Sequence, residues 1–592
     1  MADWVRIRET KLQTGVTLEH YTMFVERGVY YVDKTWFIRE FLRDGNQVIM
    51  YTRPRRFGKT LMLSTVRAFV EKAYDREGNL IDKRPFFEGR RILDAEPEIL
   101  DQMGKYPVIS ISLKDCDQTS FELFGRRFKR IIAMEAGRHE QLANSSHLST
   151  DEKAKFQQLI CASLDVFDTA EAFLCLINWI YRDTGVKPIV LIDEYDTPLQ
   201  WAYEYGYYDR VLPIMRSMLG AGLKTNGNFT KALLTGCLRI SKESIFTGFN
   251  NPVVHSVLHY EEKEYFGFDH DEVREMLHYY ELDDQYPEIA RWYDGYIFGE
   301  NSVFNPYCLV LCLRAILEEK CGVQRGLPPS SMGAYRCYWS NSSGNAIIND
   351  LIRKHPDERG DIEKLLANTS VEKPIYEFVT YRDLEHIPDV IWTILLYAGY
   401  LKAVRIRKDA ENRYFAELEI VNREVKAIFP IFIDRFLKEN IRSYHLDEFY
   451  QDLWDCRSEK VAQYLNKLLV STISYYDQKE SFYHGIMTGI LSCIPCIELK
   501  SNRESGNGRP DILLRDYNNA RAIVFEFKYS ETLARMKPDL ALAFAQIHDR
   551  HYGDELQAEG FEQIVGVAIS FFAKRSLVKI VDLSPPPDEL EI

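Results

Sequence analysis

Two short stretches of the first two hundred residues combine residue types suited to phosphate chemistry. Arg53-Pro-Arg-Arg-Phe-Gly-Lys-Thr60 joins an apolar run to a helix-like one. A phosphate chain needs backbone N–H donors, a helix N-terminus and a compact cation. In such a loop Gly58 permits close backbone approach, Lys59 reaches the β- and γ-phosphates, and the Thr60 hydroxyl can ligate Mg²⁺. The usual pattern has glycine where Arg53 stands, which on residue type alone counts against the motif and leaves a basic surface loop as the alternative. Ile189-Val-Leu-Ile-Asp-Glu194 ends an apolar run in two acids. The first acid at such a strand end can hold Mg²⁺ or its water, and the second can polarise an attacking water. Loop and acidic strand end together predict a nucleotide site.

A second constellation lies near the C-terminus. Pro510-Asp511 is followed, fifteen residues after the Asp, by Glu526-Phe-Lys528. On a strand, residues two apart share a face, so Glu526 and Lys528 project together while Phe525 and Phe527 point the other way. If 511–514 and 522–528 pair as a hairpin, Asp511 approaches Glu526. Two carboxylates can then bind a hard cation that activates water and screens the phosphate, with the lysine positioning the nucleophile or stabilising developing charge. The alternative is a solvated Glu-Lys pair on an exposed strand face.

The elements that must position these groups read as follows. Apolar runs at 47–52, 106–113, 188–192 and 232–235 look like buried strands, and 61–73 and 171–181 have helical spacing. Alternating strands and helices predict a parallel sheet covered on both faces. The stretch 322–345 is rich in Gly, Pro, Ser and Asn and reads as a linker or long loop. A helical connecting region is expected from 346 to 460. Helices are expected at 460–470 and 480–491, and paired strands at 511–514 and 522–528 around the polar turn Asp516-Tyr-Asn-Asn519. The tail at 583–587 is expected to fray.

Composition bounds the classes of function. The chain has 592 residues, 46% hydrophobic and 27% charged, which fits a folded protein of several domains. Lys plus Arg number 74 and Asp plus Glu 88, so the net charge of -14 argues against a broadly basic nucleic-acid binder. A local basic set remains: Lys500, Arg503, Arg509, Arg515, Arg521, Lys528, Arg535 and Lys537 could neutralise phosphates, or serve as ordinary surface charge. No long uncharged apolar run predicts a membrane span, and the 11 scattered cysteines read as reduced thiols of a cytoplasmic protein. Cys493-Ile-Pro-Cys496 has no second pair to complete a metal site. His484 reads as packed, and packing is also the favoured role of the tyrosines at 203–208.

Tyr31-Val-Asp-Lys-Thr35, Thr52 to Thr60, Leu191-Ile-Asp-Glu-Tyr-Asp-Thr-Pro198, Thr235 to Phe246, and Trp292-Tyr-Asp-Gly-Tyr296 with Asn305-Pro306 resemble the AAA-ATPase-like family. The resemblance covers about 5–345. It implies a P-loop NTPase domain, within 1–345, that uses ATP and Mg²⁺, with Arg53 belonging to the family's own loop. By it, Arg53, Arg56, Phe57, Gly58, Lys59 and Thr60 belong to the ATP site, Asp193 is the Mg²⁺ acid and Glu194 the catalytic base. Arg239 is a candidate for transition-state charge, or else a surface arginine. Gly508-Arg-Pro-Asp511 and Val524-Phe-Glu-Phe-Lys528 resemble the PD-(D/E)XK nuclease superfamily over about 461–575, within an α/β/α restriction-endonuclease-like domain at 461–592. That resemblance makes Asp511, Glu526 and Lys528 catalytic, Asp511 and Glu526 metal ligands with Glu480 a third acid, and Gln546 a helix residue aimed at the site.

The expected protein is thus an ATPase fused to a Mg²⁺-dependent nuclease (Mn²⁺ being an alternative ion) acting on nucleic acid, with DNA the expected polymer. Nucleotide state would gate the nuclease, with homo-oligomerisation as one route. The rival readings are a nucleotide-dependent switch or scaffold that binds partners without cutting, and a nuclease beside a degenerate nucleotide fold.

Overall fold

A computed structural model describes residues 11, 13–15, 18–223, 226–238, 252–258, 265–299, 301–324, 333–339, 359–366, 368–377, 379, 381–387, 389–428, 446–472, 480–491, 498–501, 510–550 and 552–584. The chain divides into two compact units, Met1–Leu351 with Leu365–Ile428, and Ile352–Lys364 with Phe429–Ile592. The residues of the expected helical connection are shared between them.

The first unit is built on β1 (Val48–Thr52), α1 (Lys59–Val70), β2 (Val108–Ser112), α2 (Phe121–Gly137), α3 (Val166–Thr184), β3 (Ile189–Asp193), α4 (Thr197–Glu204), β4 (Ala232–Gly236) and β5 (Val253–His255). The five strands form one parallel sheet in the order β2-β3-β4-β1-β5. Every residue of β1, β3 and β4 is buried, which is why each reads as an unbroken apolar run. The four expected strands are present; β5, three residues long, carried too little pattern to be seen. The chain crosses from β1 over β4 and β3 to reach β2, then returns to β3. Right-handed connections running in opposite directions put their helices on opposite faces. Accordingly α1 packs against β2, β3 and β4, and α2 packs against β2.

Beyond β5 come α5 (His270–Tyr279), the hairpin β6 (Tyr296–Phe298) and β7 (Asn301–Val303), and α6 (Pro306–Gln324). In the polar stretch 322–345, residues 325–332 and 340–345 lie outside the described residues. The region expected to be helical holds α7 (Val390–Tyr397) and other short helices, but also a three-stranded antiparallel sheet. Its strands are β8 (Val371–Ile375), β9 (Leu401–Lys408) and β10 (Tyr414–Ile420), in the order β8-β10-β9. β9 was missed because Val404 to Lys408 is exposed throughout and shows no inside–outside alternation, whereas β10 does alternate about the buried Ala416 and Leu418. Turn chemistry registers the pair instead: Asp409 Oδ1 accepts from the amides of Glu411 (3.0 Å) and Arg413 (2.8 Å), and Asn412 takes a positive φ of 65°.

The second unit contains α8 (Ser458–Thr472), α9 (Glu480–Leu491), β11 (Glu498–Ser501), β12 (Ile512–Asp516), β13 (Arg521–Tyr529), α10 (Met536–Asp549), α11 (Tyr552–Ala558), β14 (Gln563–Phe572) and β15 (Arg575–Asp582). Its sheet order is β11-β12-β13-β14-β15, parallel only between β13 and β14. The expected hairpin is β12–β13, and Asp516 closes it by accepting from the amides of Asn518 and Asn519. Phe525 and Phe527 pack with Leu465, Tyr483 and Met487 of α8 and α9. On the opposite face Ala522 and Val524 pack with Tyr552 and Leu556 of α11, and Ala568 with Ala543 and Ile547 of α10. The result is the expected α/β/α sandwich. In the tail, residues 585–592 lie outside the described residues. Among the described residues no helix is long and apolar enough to cross a membrane.

Candidate active sites

The loop between β1 and α1 turns on two residues in the left-handed region, Arg56 at φ 71° and Gly58 at φ 79°. The first is a non-glycine in a conformation that costs on the order of 1 kcal/mol. Lys59, 6% exposed, folds back over the loop, its Nζ donating to the carbonyls of Arg53 and Pro54 at 2.9 Å each. The Thr60 hydroxyl donates to Asp193 Oδ2 at 2.5 Å, and the Thr235 hydroxyl donates to Oδ1 of the same carboxylate. Asp193 is 4% exposed, and burial, followed by the charge of Glu194, holds its pKa above the usual carboxylate range. A buried carboxylate flanked by hydroxyls is an all-oxygen set suited to Mg²⁺.

A cavity of about 530 Å³ opens over this loop. Gly58, Lys59, Thr60 and Glu194 line one part of it, and Tyr30 and Tyr280 another. Arg56 and Phe57 also line it; the Phe57 ring anchors the loop against Tyr296 and Phe298 at 4.8 and 5.1 Å. Glu194, at φ 51°, accepts from the Thr197 hydroxyl at 3.2 Å. Arg53, expected at the ATP site, points the other way. It is fully buried, donating from Nη1 to the carbonyls of Thr52 (2.9 Å) and His255 (2.8 Å) among the rings of Tyr51, Phe266 and Phe298. Burial pushes its pKa down to about 9. The arginine in place of glycine therefore braces the loop from beneath through β1 and β5. Arg239 lies outside the described residues.

Two residues of this site were missed from sequence. Arg55 lines the cavity, with Nη2 donating to Gln200 Oε1 at 3.1 Å. Asp196 is 3% exposed and accepts from the amides of Cys237 and Leu238 at 2.8 Å each. It thereby ties the exit of β3 to the exit of β4, and a Cβ on Gly236 would come within 2.6 Å of the Tyr195 ring. The sequence signals for Asp196 were its place three residues after Asp193 and its presence in the stretch 191–198 that carries the resemblance.

In the second unit, Asp511 and Glu526 converge. The Asp511 amide donates to the Phe525 carbonyl at 3.1 Å, and Asp511 Oδ2 accepts from the Phe527 amide at 2.7 Å. Glu526, 1% exposed, accepts from the Tyr552 hydroxyl at 2.9 Å. Burial, then the neighbouring charge of Asp511, pushes the Glu526 carboxyl up to about 7, with Lys528 opposing. Lys528 follows on the same face of β13, and Gln546 reaches the Tyr552 phenol. His484 packs over Phe527, with Nε2 3.1 Å from the Asp511 carbonyl. Glu480 begins α9, but its side chain lies outside the described residues. No group of three or more His, Cys, Asp or Glu side chains that could hold a metal occurs among the described residues. The two acids alone fit a hard divalent cation, since their mutual repulsion is what such an ion relieves.

Much of the local basic set is ion-paired: Arg515 with Glu559, Arg521 with Asp516, Lys500 with Glu498 and Arg535 with Asp539. Arg503, Arg509, Cys493 and Cys496 lie outside the described residues. The tyrosines at 203 and 208 pack against Tyr381, and Tyr205 stacks on Trp201.

Residues 15–246 match the model of the AAA-ATPase-like family, described as a predicted AAA-ATPase. Residues 478–580 match the PD-(D/E)XK nuclease superfamily. An "uncharacterized protein in vnfD 5'region" of Azotobacter chroococcum mcd 1 is 22% identical over 543 residues, spanning 90% of this chain and 91% of that one. No solved structure matches. The chain therefore joins an AAA-ATPase-like domain to a C-terminal domain of the PD-(D/E)XK nuclease superfamily.

Proposed function

We propose that the chain hydrolyses ATP in its first unit and cleaves nucleic-acid phosphodiesters, DNA in particular, in its second. The observation that carries this reading is that both expected pairs converge: Thr60 with Asp193, and Asp511 with Glu526. In the first unit, Lys59 exchanges its loop carbonyls for the β- and γ-phosphates, Thr60 and Asp193 hold Mg²⁺, and Glu194 takes a proton from the attacking water. In the second, Asp511 and Glu526 hold Mg²⁺ or Mn²⁺, and Lys528 positions the nucleophile and balances charge building on the phosphate. When bound, the ion supplies Lewis-acid screening and an acidified water.

In this reading nucleotide state gates the nuclease. Equal cleavage rates for nucleotide-free, ATP-bound and Lys59→Ala protein would contradict that coupling. The second reading is binding without cleavage, which a Glu526 carboxyl raised by burial beside Asp511 also fits. Cleavage of DNA with Mg²⁺ or Mn²⁺ by wild type and its loss in Asp511→Ala decides between them; no cleavage by wild type favours the binding role.

A further inference from the structure

We propose that Arg55 is a catalytic arginine supplied in cis by the phosphate loop, placed to meet charge developing on the γ-phosphate. The proposal rests on the nucleotide reading above and adds a residue to it. Three arginines lie within four positions of the loop, and their surroundings separate them. Arg53 is fully buried beneath the loop, and Arg56 lays its guanidinium over the Tyr307 ring at 4.5 Å. Arg55 and Arg56 both line the cavity that also holds Lys59, Thr60 and Glu194, and of the two it is Arg55 whose guanidinium is tied to Gln200 of α4.

One helix positions both Arg55 and the candidate base. α4 begins just after Asp193-Glu194, and its Thr197 hydroxyl donates to Glu194 Oε2 at 3.2 Å. One turn on, its buried Gln200 accepts from Arg55 Nη2 at 3.1 Å. Thr197 and Gln200 are three residues apart and share a helix face. The guanidinium fork and the carboxylate are thus held by the same rigid element before substrate arrives, the condition under which a fixed charge favours a transition state over a ground state. Burial opposes the charge on Arg55, while Cys237, Glu194 and Asp196 nearby outweigh it and keep the group cationic.

In the step itself, the water oxygen bonds to Pγ and the bond from Pγ to the bridging oxygen breaks. The water's proton passes to Glu194, and ADP leaves with the bonding electron pair. Arg55 transfers no proton; it balances charge on the phosphoryl oxygens.

The test measures ATP hydrolysis, affinity for a fluorescent ATP analogue, and affinity for ADP with aluminium fluoride, in wild type, Arg55→Ala, Arg55→Lys and Lys59→Ala. Arg55→Ala is expected to lower kcat on the order of 10³-fold. It should leave ATP-analogue affinity within about threefold while abolishing the gain from aluminium fluoride, since only transition-state binding is lost. Arg55→Lys keeps charge and bulk and is expected to recover part of kcat. Hydrolysis by Arg55→Ala within about twofold of wild type, or equal loss of both affinities, would overturn the proposal. Wild-type protein that binds no ATP, or hydrolysis unaltered in Lys59→Ala, would instead remove the nucleotide reading and this role with it.

Discussion

Thr60 Oγ1 lies 2.5 Å from Asp193 Oδ2, joining residues 133 positions apart. The contact fastens the first turn of α1 to the end of β3, and the Thr235 hydroxyl completes the grip on the carboxylate. Asp193→Asn keeps the shape and removes the charge a divalent ion needs. It is expected to weaken Mg²⁺-dependent ATP-analogue binding by about 10- to 100-fold and to leave Mg²⁺-free binding unchanged. Titrations with and without Mg²⁺ measure both.

Glu526 predicts a pH dependence for metal binding. Its carboxyl is raised to about 7, so below that pH an incoming ion must displace a proton. Mn²⁺ affinity is expected to rise about tenfold per pH unit up to 7 and then to level, with proton release seen by calorimetry in two buffers. Glu526→Gln should abolish that slope.

Arg53 is read as a brace, and substitution separates bracing from nucleotide contact. Arg53→Met fills similar space without the buried charge, and ATP-analogue affinity should stay within about threefold of wild type because the side chain never reaches the cavity. Arg53→Gly restores the commoner loop residue but empties the ring cage, and denaturant unfolding of the first unit should show a loss of about 3 kcal/mol.

Glu424 is fully buried, accepts from the amides of Tyr338 (2.7 Å) and Trp339 (3.0 Å), and is raised to about 7 by burial. An acid whose folded pKa is raised keeps its proton in the folded state while the unfolded chain loses it. Its stabilising effect is therefore complete at acid pH and lost as pH rises from about 4.5 to 7. Glu424→Gln keeps the acceptor and removes the ionisation. Melting curves across pH 4.5 to 8 are expected to show the variant's advantage growing to about 3 kcal/mol by pH 7 and then staying level.

The central strands were legible because burial on both faces leaves a continuous apolar run, as in Ile189 to Ile192. The approach of Asp511 to Glu526 was legible because the turn at Asp516 sets the hairpin register, pairing Ile512 with Phe525. β9 was not legible, because its exposed half, Val404 to Lys408, carries no hydrophobic period. Nor could spacing tell Arg53 from Arg55. Their opposite directions come from the path of a loop with positive φ at Arg56 and Gly58, and side-chain type does not encode that path.

The most direct measurement of the central claim is a crossed activity assay on the full chain, following ATP hydrolysis and Mg²⁺- or Mn²⁺-dependent DNA cleavage in wild type, Lys59→Ala and Asp511→Ala. Two separate chemistries in one chain require that wild type shows both, that Lys59→Ala loses hydrolysis, and that Asp511→Ala loses cleavage while still hydrolysing ATP. Cleavage that survives in Asp511→Ala, or hydrolysis that survives in Lys59→Ala, would contradict the account.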